Sequence, residues 1–279
     1  MGGSVHLAVA FVVGMALALI LSVTMRRMMG SEAFARTNYR GHPLPTSMGI
    51  VIPLVAIAGV APDSVRWSAV GTLGIPVVIL VTGFALLGLL DDLAGVGQSG
   101  GFRGHVRALL RGDLTSGMVK MLGGPLLAVV VIGQWEVLPS IAEVLRDAAV
   151  VALAANLANL LDRAPGRVIK FGLVGFGLVL VGGLRGYLAA PALSMGAAAG
   201  LLPGDLREDY MLGDAGSNAI GATVGFAAVT TLESGPRWLL VLGLLALNLV
   251  SEVLSFSRVI DATPPLRWFD RLGSPHRGS

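Results

Sequence analysis

Apolar stretches separated by short polar connections recur along the whole chain. They fall at about residues 5–23, 49–60, 68–90, 121–132, 142–161, 168–181, 184–202, 219–232 and 238–254. A helix needs about 20 predominantly apolar residues to cross a bilayer. Only helices and closed barrels satisfy their backbone groups there. The pattern therefore predicts an all-α, polytopic helical membrane protein with about nine transmembrane segments. The second segment is the shortest, so its start extends back through Thr46 or the segment lies tilted. Ahead of it, Pro43-Leu44-Pro45-Thr46-Ser47-Met48-Gly49 predicts a shaped loop, because proline and glycine resist helix continuation. The longest connection, 91–120, is glycine-rich at first (Gly95, Gly97, Gly100, Gly101) and then helical and basic through Arg107, Arg111 and Lys120. Beyond residue 254 the chain is polar and basic, and Pro264-Pro265 argues against another span. Residues 1–254 thus form one integral membrane domain with polar loops at 26–47, 91–120, 162–167 and 203–217, and 255–279 form a basic tail.

Charge adds a direction to this picture. Sixteen of the 20 Lys and Arg residues lie after the first, third, fifth and seventh segments or in the tail, whereas Arg66, Arg146, Arg185 and Arg237 fall on the other side. The positive-inside tendency then places the N-terminus outside and the C-terminus in the cytosol of a cell inner (plasma) membrane. The content of 13% charged residues is about half that of a soluble domain. The pI near 9.8 does not point to nucleic acid, because the cations sit in short connections between spans. Anionic lipid, polyprenyl phosphate and nucleotide phosphate are the expected partners. The chain has no cysteine, which excludes disulfides and thiolate metal sites. The first segment reads as a retained span, since no small-residue cleavage site and hydrophilic mature chain follow it.

Against this apolar background a few polar clusters stand out. Gly88-Leu89-Leu90-Asp91-Asp92 ends the third segment with paired carboxylates. Asn156, Asn159 and Asp162 recur every three residues at the end of the fifth, on one slowly rotating helical face. Leu212-Gly213-Asp214-Ala215-Gly216-Ser217-Asn218 opens the eighth, where free backbone N–H groups favour phosphate. Each has a plain structural explanation: solvated acids at a helix end, amide bonds between helices, or an N-terminal cap. The predicted topology nevertheless gathers Asp91, Asp92, Asp162, Asp214, Asn156, Asn159, Lys120 and His42 at the cytosolic membrane edge. Independent caps have no reason to choose one face, so the pattern points to one cytosol-facing cleft for an anionic, metal-dependent reaction.

In their order and spacing these blocks resemble the polyprenyl-phosphate N-acetylhexosamine-1-phosphate transferase family, which includes the phospho-MurNAc-pentapeptide transferase of peptidoglycan synthesis and GlcNAc-1-phosphate transferases. The resemblance covers nearly the whole chain. It implies transfer of a sugar 1-phosphate from a UDP-sugar to polyprenyl phosphate, with release of UMP. It further implies Mg²⁺, with Mn²⁺ as the alternative, and is compatible with a homodimer. By position, Asp91 and Asp92 match the family's paired aspartates and Asp162 the first acid of its Asn-x-x-Asn-Leu-x-Asp-Gly-x-Asp-Gly block. These three carry the expected catalytic role, Asp91 or Asp92 orienting or deprotonating the lipid phosphate. Asp214 matches the principal metal ligand, with Asp92 beside it. Lys120 matches a phosphate-contacting base in the loop before the fourth span, and Thr46, Asn156, Asn159, Gly216 and Ser217 complete the expected substrate contacts. The chain also departs from the family. Asp162-Arg163-Ala164-Pro165-Gly166 replaces the second acid with Pro165, the tail keeps only His276, and the last span is missing. A noncatalytic homologue that binds carrier lipid or nucleotide is therefore the alternative function. Transport is disfavoured, because no matched inverted halves are visible and the polar groups gather on one face.

Overall fold

The computed structural model describes residues 2–60, 74–94, 102–135, 140–182 and 188–275. Arg66, Arg185, the glycines of 95–101, His276 and Arg277 lie outside the described residues. Each apolar segment falls on a helix, the starts of the third and seventh (68–73 and 184–187) lying outside the described residues: α1 (Gly2–Met28), α2 (Val51–Val60), α3 (Gly74–Ala94), α5 (Ser116–Trp135), α6 (Ile141–Leu161), α7 (Arg167–Val181), α8 (Ala189–Leu206), α9 (Gly213–Thr231) and α10 (Ser234–Ser251). The basic stretch after α3 contains the short helix α4 (Phe102–Leu110). Among the described residues, five helices are long and apolar enough to cross a membrane: Val5–Met28, Gly74–Ala94, Ser116–Gln134, Ile141–Leu161 and Ser234–Ser251. α2 and α7 are shorter, whereas α8 and α9 are rich in alanine and glycine and are enclosed by their neighbours. α9 is the centre of the bundle, packed against α3, α6, α7 and α8 with nearly every residue buried. α10 instead exposes Leu239, Leu242 and Leu249, an apolar outer face of the kind lipid covers.

Close backbone approaches reveal the helix directions. α1 and α8 run parallel, with Gly196 against the Phe11 carbonyl and Gly200 against that of Met15. A Cβ at Gly196 would lie 2.0 Å from the Phe11 oxygen, so this small-xxx-small pair brings two backbones into direct contact. α6 and α9 run antiparallel, since Gly221 meets Ala154 and Gly225 meets Val151. α3 is antiparallel to α5 through Gly83 with Leu127 and Gly123 with Leu87. α7 is parallel to α9, and α2 starts beside the start of α9. α6 and α10 are parallel: Arg146 donates to Ser234 at one end, and Asn156 donates to Asn248 near the other. Hence α1, α3, α6, α8 and α10 end where α2, α5, α7 and α9 begin.

At the far end, the buried Arg146 and the Arg237 guanidinium share the carboxylate of Asp147, each at 2.7 Å, and clamp α6 to α10. At the near end, residues 35–45 fold into a hairpin, β1 (Ala35–Thr37) paired antiparallel with β2 (Pro43–Pro45). The Glu208 carboxylate accepts from Asn38 and Tyr39 and holds the hairpin against the end of α8.

The tail is more ordered than its polarity suggests, containing α11 (Phe256–Ala262) and α12 (Pro264–Arg271). Pro264 and Pro265 occupy the first turn of α12, where the missing N–H is tolerated. Arg167, at the start of α7, grips the fully buried Asp270 bidentately at 2.7 and 2.8 Å and donates to Ser257 at 2.7 Å. Lys170 donates to the carbonyls of Phe269, Asp270 and Leu272, closing the C-terminal end of α12. Removing one partner of a buried ion pair costs about 3–5 kcal/mol. Arg167→Met should therefore release the tail and raise trypsin cleavage at Arg258, Arg267 and Arg271 by about tenfold or more. Unchanged cleavage kinetics would show that the pair does not hold the tail.

Candidate active site

The carboxylate pair at the end of α3 is divided between two neighbours. Adjacent helical residues point about 100° apart, and Asp91 faces α5 while Asp92 faces the start of α9. Asp91 accepts from the Ser116 hydroxyl at 2.6 Å and pairs with Lys120 at 2.8 Å. Ser116 and Lys120 are one turn apart on α5, so both reach the same carboxylate. Asp92 accepts from the backbone N–H groups of Asp214 at 2.9 Å and Ala215 at 3.2 Å, and from the Ser47 hydroxyl at 2.8 Å. It thus caps α9 from a different helix and satisfies N–H groups that the first turn cannot pair internally. Those bonds draw on both of its oxygens, so Asp92 serves as an anchor between the hairpin loop, α3 and α9.

Glycine makes this junction close enough to form. Gly213 has φ +73°, and a Cβ there would lie 2.6 Å from the Asp92 Oδ2. Gly49 and Gly216 cross backbone to backbone, a Cβ on Gly49 falling 2.0 Å from the Gly216 Cα. The Gly49 N–H donates to the Leu212 carbonyl and the Met211 N–H to that of Pro45, stitching the loop before α2 to the turn before α9. Ser47, in the left-handed region at φ 62°, points its hydroxyl at Asp92 as part of the same seam. Arg36 reaches from β1 to the Asp92 carbonyl at 2.8 Å and braces the end of α3 from outside.

Lys120 stands at the centre. Its ammonium is 2.5 Å from the Asp214 Oδ2 and 2.8 Å from Asp91. With its amide oriented to satisfy both neighbours, Asn159 donates to the Asp214 Oδ1 at 2.7 Å and accepts from Lys120 at 2.9 Å. Two carboxylates and an amide oxygen therefore converge on one cation, with the three acidic and basic side chains 17–27% exposed. The site is polar, partly accessible and fixed on four helices, namely α3, α5, α6 and α9.

The other expected residues take distinct places. Asp162 ends α6 as its C-cap, and no hydrogen bond reaches its carboxylate among the described residues. Burial, followed by the charges of Asp205, Asp214 and Asp92, holds its carboxyl well above the ordinary range. The loop after it is fastened by the Gly166 N–H, which donates to Asp205 of α8 at 2.6 Å, and Arg163 is exposed beside it. Asn156 lies outside the cluster. Its amide bonds Asn248 of α10 at 2.6 Å, because three residues along a helix leave a rotation of about 60° between it and Asn159. Lys120 belongs to α5 itself rather than to the connection before it. Thr46 is buried, with its backbone N–H paired to the Phe34 carbonyl. Gly216 is packed on Gly49, and the buried Ser217 hydroxyl turns back to the Asp214 carbonyl at 3.4 Å. Ser47, Ser116 and Arg36 complete the site without having been foreseen. Ser47 adjoins an expected residue, and Ser116 precedes Lys120 by one helical turn, which was the available signal.

Comparison with protein-family models finds no match, and no curated protein matches the chain.

Proposed function

We propose that this chain is a polytopic sugar-1-phosphate transferase that moves the phospho-sugar of a UDP-N-acetylhexosamine-type donor onto polyprenyl phosphate and releases UMP. The observation that carries this reading is the convergence of Asp91, Asp214 and Asn159 on Lys120. The alternating directions of the nine bundle helices among the described residues support a nine-span topology, and the bias of Lys and Arg to one set of connections supports an N-terminus outside. On that topology the cluster and the basic connections share the cytosolic edge, where a nucleotide sugar and a lipid phosphate can meet.

In the reaction, an oxygen of the lipid phosphate attacks the donor phosphorus that bears the sugar, and the bond from that phosphorus to the UMP oxygen breaks. Both reactants are anions, so the chain must position them and compensate their charge. Lys120 supplies a cation on a helix whose placement is secured by Asp91 and Asp214, and a phosphate oxygen can take the place of the Asn159 amide oxygen among its three partners. Asp91, held by Ser116, can orient the acceptor phosphate, while Asp92 and Ser47 keep the start of α9 in register. Asp162, with its carboxyl raised by burial and neighbouring carboxylates, can hold a proton at this edge of the bundle.

The donor set suits Mg²⁺. Among the described residues no group of three or more His, Cys, Asp or Glu side chains is arranged to hold a metal. Mg²⁺, however, commonly uses one or two carboxylates together with substrate phosphates and water. Asp214 and Asp91 would provide the carboxylates, since Asp92 is engaged in capping. When bound, the ion would neutralise phosphate charge as the phosphoryl group moves.

Purified protein incubated with a panel of UDP-N-acetylhexosamines and undecaprenyl or decaprenyl phosphate should release UMP, and EDTA should stop the release. A related transferase run in parallel controls the assay, and no UMP from any pair would overturn the reading. Two observations favour the noncatalytic alternative: Lys120 already neutralises the carboxylates, and Pro165 stands where the family has an acid. Carrier-lipid binding that is insensitive to EDTA and yields no product would support it.

A further inference from the structure

A second cationic site lies where α1 and α8 part. Along most of their length the two helices touch through Gly14, Gly196 and Gly200, leaving no room between backbones. Past Gly200 they separate around a cavity of about 530 Å³ between the last turns of α1 and the 203–210 region. Arg26, Arg27 and Arg207 line it, with Asp209 as the acidic residue among its lining side chains. Arg26 and Arg207 both hold Asp209, at 3.1 and 3.2 Å, which fixes two guanidinium groups across the opening. The Arg27 side chain makes no hydrogen bond or ion pair among the described residues. One carboxylate against three guanidinium groups leaves the cavity net positive.

The deeper wall is apolar. Leu19 and Val23 line the cavity and are 42% and 69% exposed, so they continue the outer face of a helix long and apolar enough to cross a membrane. Tyr210 closes the inner side, its hydroxyl bonded to the Leu201 carbonyl at 2.9 Å and its ring seated on Gly204. Guanidinium forks match phosphate oxygens, and the end of a spanning helix lies at headgroup depth.

We propose that this cavity binds the phosphate headgroup of an anionic phospholipid, with an acyl chain running along Leu19 and Val23. The apolar wall selects a lipid-borne phosphate over a free one. None of these residues belongs to the Lys120 cluster, so the inference stands apart from the transferase reading.

Native mass spectrometry of the purified full chain in detergent tests it with dioleoyl phosphatidylglycerol, dioleoyl phosphatidylcholine and inorganic phosphate as probes. Phosphatidylglycerol should bind with clear preference over phosphatidylcholine, and millimolar inorganic phosphate should not displace it. Arg27→Gln, which removes a side chain with no partner among the described residues, should weaken phosphatidylglycerol binding about fivefold, the factor expected of one cation near an anionic headgroup. Arg258→Gln, in the tail, should leave binding unchanged. Equal binding of the two lipids, or an Arg27→Gln variant that binds like the parent, would overturn the proposal. Displacement by inorganic phosphate would overturn the lipid assignment in favour of a free-anion site. Equal weakening by Arg258→Gln would reduce the effect to general surface charge and overturn the site.

Discussion

Asp214→Asn is expected to lower UMP release by roughly 10²–10³-fold while leaving the fold intact. Asp214 faces Lys120 at 2.5 Å and Asn159 at 2.7 Å, so its charge sets the position of the central cation. An amide at that place keeps the size but loses the charge, and its NH₂ group would oppose either Lys120 or the Asn159 donor. The backbone is insulated from this change, because the first N–H groups of α9 are capped by Asp92 and not by Asp214. Neutralising Asp214 also removes its repulsion with Asp91, which offsets the lost ion pair. Thermal unfolding should therefore stay close to that of the parent. Full turnover in the variant would remove Asp214 from the chemistry. Loss of activity together with loss of fold would mean that its role is structural.

The second large effect comes from a residue with no functional group. In Gly88→Ala the new Cβ would lie 2.2 Å from the Asp214 carbonyl oxygen and 2.4 Å from its carbon. These are backbone atoms, so no flexible side chain can move aside, and α3 must separate from α9. Overpacking of this kind typically costs about 1–3 kcal/mol. Displacing catalytic groups by about 1 Å can cost about 10²-fold in rate. Because Gly88 precedes Asp91 by less than one turn, the displacement falls directly on the contacts of Asp92 to α9 and of Lys120 to Asp214. Gly88→Ala should thus lose about a hundredfold in UMP release and melt at a lower temperature. Gly177→Ala is the matched control, since a Cβ there meets nothing within 4 Å. If both variants keep parental activity, the close approach of α3 to α9 does not position the site.

Legibility differed sharply between these elements. Helix positions could be read from apolar run length, and each expected segment falls on a helix, because burying or lipid-covering such runs requires their backbone groups to pair internally. The helical tail was not legible: α11 and α12 are short and polar, and they depend on Arg167 and Lys170 from a distant helix. Asn156 and Asn159 look equivalent in spacing, yet one bonds α10 and the other Lys120. Their separation depends on helix rotation and on which neighbour packs at each angle. Ser47 and Ser116 gave no signal by themselves, since a serine hydroxyl acquires a role only when a carboxylate is brought to it.

The apolar pattern alone called for a helical bundle with helices long and apolar enough to cross a membrane, and it put the acids and cations at helix ends. Both follow from local physics, because long apolar runs must form helices and charges are excluded from an apolar interior. How the paired aspartates divide their work depends instead on the packing of three helices. Asp91 turns to the Lys120 cation and Asp92 to the start of α9, a difference of one residue in the chain and about 100° around the helix. That angle has meaning only once α5 and α9 are packed on either side, and the glycine contacts of α3 and α9 bring them there.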